Sequence, residues 1–391
     1  MHRFTLAVLS CVLTLASIRS VLAAPQGFTE LHIGDQAPDF DLPGVDGKRY
    51  SLKDFASAKL LFVVFTCNHC PTAQAYEDRI KQLHSDYKDR GVALVAVSPN
   101  DDRAVRLDEL GFTDLGDSFD DMKLRAKAAD FKFPYLYDGD TQKTALAYGV
   151  SATPQVYLFD AARKLRYVGR IDNSDVKTVT SHDARNAIDS LLASKPVPVE
   201  KTRNFGCSTK WSEKRADAEA SIEKWNKEPV TLQPLDEATL GKLVKNDSDQ
   251  FLLVNVWATY CTPCILELPE FVTINRMYRQ RNVRVITITL DDPDQAETAK
   301  KILEDRHVAL TNYISAIPSP DRLADLLDPE WRGALPHTVL IAPGGKVVFR
   351  SDGEIKPLEV RRAIVDQIGR TYANRAAKKP ARDQSAKQNK Q

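Results

Sequence analysis

Two Cys-x-x-C pairs, Cys67-Asn68-His69-Cys70 and Cys261-Thr262-Pro263-Cys264, are the residues best equipped for chemistry. A thiol at a helix start meets unpaired N–H groups and the positive end of the helix dipole, which stabilise the thiolate. A second thiol three residues on lies within disulfide reach. That arrangement opens and closes a disulfide. At the second pair, Cys261 is expected to attack and Cys264 to resolve the mixed disulfide. Glu267, one turn further along the same face, is expected to take the proton from Cys264. At the first pair, His69 stands between the cysteines. A cation there favours the thiolate and hence the reduced form, so the first pair is expected to be the more oxidising.

Other uses of Cys-x-x-C fit less well. The pairs lie nearly two hundred residues apart, too far for one zinc site of the usual close spacing. Neither pair is followed by His, which excludes covalent haem attachment. The expected cofactors are therefore none beyond redox-active disulfides, and no metal site is expected. Formal net charge is +1 over 391 residues, so no strong field draws in nucleic acid.

Repeated strand–helix units must position the pairs. Residues 60–65 and 251–257 are continuous apolar runs that predict strands buried on both faces. After each cysteine pair a helix is expected, to about Arg90 in the first half and Arg281 in the second. Residues 93–98 and 283–290 predict the next strands, so each crossover gives a parallel pair. Asp46-Gly47 predicts a hairpin. Helices are expected at 119–129, 141–148, 182–192, 293–306 and 357–372, and strands at 155–159, 164–171, 337–341 and 346–350. Thr153-Pro154 and Leu335-Pro336 precede strands at matching places, which predicts cis peptide bonds at both. The whole order occurs twice, so the chain is a duplication at domain scale.

Residues 1–23 read as an export signal, with a weakly basic end, an apolar stretch over 4–16 and small residues at a cleavage site. The stretch is too short for a good membrane span. A periplasmic or secreted protein without stable membrane insertion is expected. Cys11 falls within this segment. The other five cysteines are the two pairs and Cys207. The domains are expected at 31–194 and 235–374. Between them lies a charged linker, 195–234, with Cys207 and a short helix at 216–225. A basic tail, 375–391, is expected to be disordered.

The residues also carry two family resemblances. Trp257-Ala258-Thr259-Tyr260-Cys261-Thr262-Pro263-Cys264 with Glu267-Leu268-Pro269 resembles the TlpA-like exported thioredoxins over about 235–372. That resemblance implies a thioredoxin fold, disulfide reductase activity and a cis proline at Pro336. Thioredoxin has a buried aspartate where this chain has Asn255, which raises interest in Glu267. The first half, about 31–210, resembles the peroxiredoxin-like, AhpC/TSA-related redoxins through Cys67-Asn68-His69-Cys70-Pro71, Phe133-Pro134-Tyr135-Leu136, Thr153-Pro154 and Tyr167-Val168-Gly169-Arg170-Ile171-Asp172. It extends to Phe205-Gly206-Cys207, which suggests Cys207 as a third redox thiol. The expected fold class is α/β, two thioredoxin-fold domains in tandem, each a central mixed sheet flanked by helices. Pro154, Pro336 and Trp257 are the expected substrate-binding residues.

The leading reading is an exported thiol–disulfide oxidoreductase whose partners are protein thiols and disulfides, with a membrane electron donor as a further candidate. A thiol-dependent peroxide reductase is the alternative. However, the Pro-x-x-x-Thr-x-x-Cys setting that holds peroxide in peroxiredoxins has Leu60 and Val64 in its place. A copper-binding thiol chaperone, with His69 beside Cys70, is the third reading.

Overall fold

The structure, a computed structural model, describes residues 24–373. The expected export signal with Cys11 and the basic tail lie outside the described residues.

In the first half, a hairpin pairs β1 (Asp41–Pro43) with β2 (Arg49–Ser51) around Asp46-Gly47, as expected. Then come β3 (Leu60–Phe65), α1 (Pro71–Tyr87), β4 (Val92–Ser98), α2 (Phe119–Ala128), β5 (Tyr135–Tyr137) and α3 (Lys143–Tyr148). They are followed by β6 (Ala152–Thr153), β7 (Gln155–Phe159), β8 (Leu165–Gly169), α4 (Asp183–Leu192), β9 (Cys207–Ser208) and α5 (Arg215–Asn226). The second half contains β10 (Gln233–Leu235), α6 (Glu237–Lys245), β11 (Phe251–Trp257), α7 (Thr262–Tyr278), β12 (Val283–Thr289) and α8 (Ala296–Asp305). It ends with β13 (Thr311–Ser315), α9 (Pro320–Leu327), β14 (His337–Ile341), β15 (Val347–Asp352) and α10 (Pro357–Ile368).

The first sheet has the order β5-β4-β3-β7-β8, and the second β10-β13-β12-β11-β14-β15. Three strands run parallel in the first sheet and four in the second, and each sheet ends in an antiparallel hairpin, β7-β8 or β14-β15, whose first strand pairs antiparallel with the central strand. Apart from the extra β10, the two sheets have one topology. The duplication is therefore a thioredoxin fold written twice.

The side-chain period of two explains the central strands. Leu60, Phe62 and Val64 enter the apolar cluster on one face of the first sheet, and Leu61, Val63 and Phe65 the cluster on the other. Strand β11 divides likewise, with Leu252, Val254 and Val256 on one face and Phe251, Leu253 and Trp257 on the other. Asn255 falls on this second face, which makes it a buried amide in need of a partner.

The segment read as a linker is largely built into the first domain. Trp211 packs in a first-domain core cluster, Arg215 pairs with Asp101, and Lys210 Nζ reaches Glu109 at 2.5 Å. The charges suggested a solvated connector, but they are anchoring ion pairs. Strands β5, β10 and β13 and helices α6 and α9 were also not foreseen. Each is short or carries polar residues that blur its period.

A loop over 101–117 joins the domains. Leu110 packs among residues of α7 and α10, and the Tyr278 hydroxyl donates to the Thr113 carbonyl at 2.8 Å. Arg362 and Arg370 both pair with buried Asp114. Burial raises the Asp114 pKa, but the two guanidinium groups outweigh it and hold the carboxyl below its usual value. This contact meets the C-terminal end of α7. Cys264 and Tyr278 are roughly 21 Å apart along that helix, at about 1.5 Å per residue. The domain contact is thus remote from the second cysteine pair.

Candidate active sites

The second pair follows the expected plan. Cys261 is the N-cap of α7, and Cys261 and Cys264 form a disulfide with Cα atoms 5.3 Å apart. Cys264 is fully buried and Cys261 nearly so. Tyr260, 71% exposed, precedes Cys261, and Leu266, 68% exposed, stands one turn beyond it. Such large apolar side chains in the open suit a protein partner. Neither was singled out from the sequence. Trp257, expected to bind substrate, is fully buried in the cluster that holds both sulfurs. It packs behind the disulfide and presents no surface, because its place on β11 faces the core.

Glu267, the expected proton acceptor, is buried. Its Oε1 accepts from Asn255 Nδ2 at 2.8 Å, and its Oε2 from the Ile355 N–H at 3.0 Å. Asn255 thus fills the buried polar position by holding the carboxylate. Burial pushes Glu267 up to about 7, against the smaller opposing effect of those donors. A carboxyl tuned near neutrality can release and regain a proton at working pH. In Glu267→Gln, the closing rate of the second pair is expected to lose its inflection near pH 7, read by quenched alkylation across pH. Between about 4.5 and 7 the folded wild type keeps a proton that the unfolded chain has released. Its stability relative to the variant should therefore fall as pH rises through that window. Parallel pH profiles for the two proteins would refute the assignment.

The first site departs from the plan. Helix α1 begins at Pro71, and its N-cap is Cys70, not Cys67. Proline is well suited to the first helical position, where no N–H is needed, and this sets the start three residues later than in the second site. Cys70 Sγ accepts the Ala73 N–H at 3.5 Å. Cys67 Sγ shares a hydrogen bond with Thr153 Oγ1 at 3.1 Å, and as a thiol Cys70 donates to the Thr153 carbonyl at 3.4 Å. Both cysteines are free thiols and both are buried, as is the whole of residues 66–74.

His69 is 1% exposed. Its Nδ1 is 2.5 Å from Asp117 Oδ2. Asp117 also accepts the N–H groups of Asn68 at 2.9 Å and His69 at 3.1 Å, and Asn100 Nδ2 at 2.7 Å. Burial alone would lower the His69 pKa, but the Asp117 charge and hydrogen bond raise it. Burial would raise Asp117, but His69 and the donors lower it. The result is a buried ion pair against the cysteines. It separates the two thiols. Burial and then the Cys70 hydrogen bond raise Cys67, with Asp117 adding to the effect. Cys70 is held well below its ordinary value: burial opposes, but donors Cys207 and Cys67, the His69 charge and the Ala73 N–H prevail. Of the two thiols, Cys70 is therefore the more readily ionised.

Asp117 was not recognised from sequence; it is one acid in a loop, with no motif around it. Thiol, imidazole and carboxylate atoms of Cys67, His69 and Asp117 lie within 4.8 Å of one another, so these residues could hold a metal ion. Leu60 and Val64, at the peroxide-holding places, are buried in the apolar core of β3.

Thr153-Pro154 and Leu335-Pro336 are both cis. Each proline opens the strand beside its cysteine-bearing central strand, since β7 pairs with β3 and β14 with β11.

The chain is similar to several known proteins. The thiol-disulfide oxidoreductase ResA of Bacillus cereus is 28% identical over 157 residues, covering 37% of this chain and 79% of its own. The thioredoxin-like protein YneN of Bacillus subtilis is 27% identical over 156 residues, covering 40% of this chain and 78% of its own. A hypothetical protein of known structure from Sinorhizobium meliloti is 32% identical, covering 47% of this chain and 97% of its own with a TM-score of 0.43. The profile of the AhpC/TSA family matches residues 33–168 and again 230–350, one match around each cysteine pair. These two stretches together span more than half of the chain, which therefore belongs to the AhpC/TSA family.

Proposed function

We propose that this oxidoreductase is an exported enzyme that exchanges disulfides with protein thiols through Cys67/Cys70 and Cys261/Cys264. The observation that supports it most is the second site. There a disulfide at a helix N-terminus has exposed Tyr260 beside Cys261 in the chain and exposed Leu266 in the same helix, with a buried carboxyl tuned near neutrality on that helix. Cys261 attacks a partner's disulfide or receives its thiolate, Cys264 resolves the mixed disulfide, and Glu267 holds the proton. Pro154 and Pro336 mark the edge along which an extended partner lies. The reaction needs no cofactor beyond the sulfurs. Export fits the apolar segment at 4–16, and no helix of the described residues is long and apolar enough to cross a membrane. A membrane-bound electron donor is the natural source of reducing equivalents outside the cytoplasm.

In Cys264→Ser the mixed disulfide cannot resolve. The variant is expected to retain covalently attached proteins that dithiothreitol releases, while Cys261→Ser/Cys264→Ser retains none at this site. Equal recovery from both variants would refute a protein-thiol substrate there. A second reading, capture of a soft metal ion such as copper, is supported by the Cys67, His69 and Asp117 grouping. Copper retained by the reduced, dialysed protein would favour it, and metal-free protein would count against it.

A further inference from the structure

The two sites differ in what lies along the proline edge. In the second domain, no strand among the described residues pairs with the segment before Pro336. In the first domain, β9 is paired antiparallel to β6, with Thr153 opposite Cys207 and Ala152 opposite Ser208. Gly206 lies so close that a Cβ there would collide with the Thr153 carbonyl. The strap is pinned at both ends. Asn204 Nδ2 donates to Gln155 Oε1 at 3.0 Å, Thr209 N–H to the Ser151 carbonyl at 3.2 Å, and Lys210 N–H to Asn100 Oδ1 at 2.9 Å. Half-buried Cys207 packs against the small cluster of Cys67, Cys70 and Ala73. Thr153 therefore touches both sulfurs of the pair while pairing with the strand that carries a third.

We propose that the 204–210 strap is a built-in substrate of the first site, and that Cys207 exchanges with its disulfide. This rests on the reading of Cys67/Cys70 as a redox pair. The Cys207 thiolate attacks Cys70 Sγ of the Cys67–Cys70 disulfide. The S–S bond between Cys67 and Cys70 breaks and one between Cys70 and Cys207 forms. Cys67 leaves as a thiolate and takes up the proton that Cys207 lost. One disulfide replaces another, so no outside oxidant or reductant is consumed. Geometry selects Cys70, the sulfur with which Cys207 shares a hydrogen bond. In the reduced protein the hydrogen bond with Cys70, then burial and then the Cys70 charge raise the Cys207 pKa. Oxidation of the pair removes both the hydrogen bond with the Cys70 thiolate and its charge, so Cys207 becomes the better nucleophile when there is a disulfide to attack. Protein partners reach this edge only by displacing the strap, whereas the second site is open.

The test uses the full chain with Cys67→Ser and oxidised glutathione as the probe. Glutathione joined to Cys70 is expected to be expelled by Cys207, at least about tenfold faster than by any thiol remaining in Cys67→Ser/Cys207→Ser, since intramolecular thiols act at high effective concentration. Non-reducing peptide mapping should then show Cys70 linked to Cys207, and the wild type should show the same link beside Cys67–Cys70. Equal glutathione retention in both variants, with no such link in the wild type, would overturn the proposal while leaving the pair itself intact. A wild type that forms no Cys67–Cys70 disulfide at all would instead overturn the reading of the first site. Wild-type mapping decides the matter if either variant misfolds.

Discussion

Changing both Cys67 and Cys261 to Ser is expected to reduce the rate of insulin disulfide reduction by at least about a thousandfold, to the level of the dithiothreitol blank. The thiolate is the nucleophile, and a hydroxyl of ordinary acidity cannot replace it. Neither Cys-x-x-C disulfide can form once one sulfur is gone, whichever thiol attacks first, and the remaining Cys70 and Cys207 lie under the strap, closed to insulin. Each single variant should keep the activity of the other site. The domains contact each other through the 101–117 loop and the far end of α7, so the second pair does not depend on the first for its geometry. A double variant retaining more than about a tenth of the activity would show that the chemistry lies elsewhere.

The second large effect concerns Asp117. Asp117→Ala leaves His69, two backbone N–H groups and the Asn100 amide without their acceptor inside the protein. Breaking a buried pair by removing one partner costs about 3–5 kcal/mol. The pH dependence follows from the two directions. His69 is raised on folding, so its contribution is complete below about 6.5 and is lost as pH rises through the higher folded value. Asp117 is lowered, so its contribution is complete above about 3.9 and is lost as pH falls through the lower folded value. The stability gap between wild type and Asp117→Ala should therefore be widest between these limits, as urea melts across pH would show. A gap below about 1 kcal/mol throughout would mean that His69 and Asp117 are not paired. Asp117→Asn, which keeps the acceptor but not the charge, should restore part of the stability while leaving Cys70 less reactive toward alkylation than in wild type.

The contrast between the pairs also bears on their potentials. A stabilised thiolate favours the reduced form, so a pair with Cys70 beside His69 should be the stronger oxidant. The second pair has a buried carboxyl nearby and, within the motif, Pro263 in place of an imidazole. Each 30 mV between them corresponds to a factor of about ten in equilibrium constant.

The central strands, the cysteine pairs and both cis prolines were legible because each leaves a local pattern. Runs such as Leu60–Phe65 can only be buried on both faces, and Pro71 after a cysteine pair marks a helix start. The same proline also shows why the first site was partly misread. A start at Pro71 makes Cys70 the cap and leaves Cys67 outside the helix, a shift that the spacing of the cysteines does not reveal. His69 was recognised, but its partner was not, because the approach of Asp117 is created by the tertiary path of a loop 48 residues away. The charged stretch around Lys210 and Arg215 suggested a linker, since ion pairs across long sequence distances have no local signature. Gly206-Cys207 and Trp211 were the visible signs that this stretch belongs to the first domain.

The most direct test follows the redox state of the intact protein through a graded series of reduced and oxidised dithiothreitol, trapping free thiols by alkylation and assigning them by peptide mass. Both pairs should pass reversibly between thiol and disulfide, with Cys67/Cys70 opening at the less reducing potential. A pair that stays closed throughout, or sulfurs found ligating a metal ion that dialysis does not remove, would contradict the account.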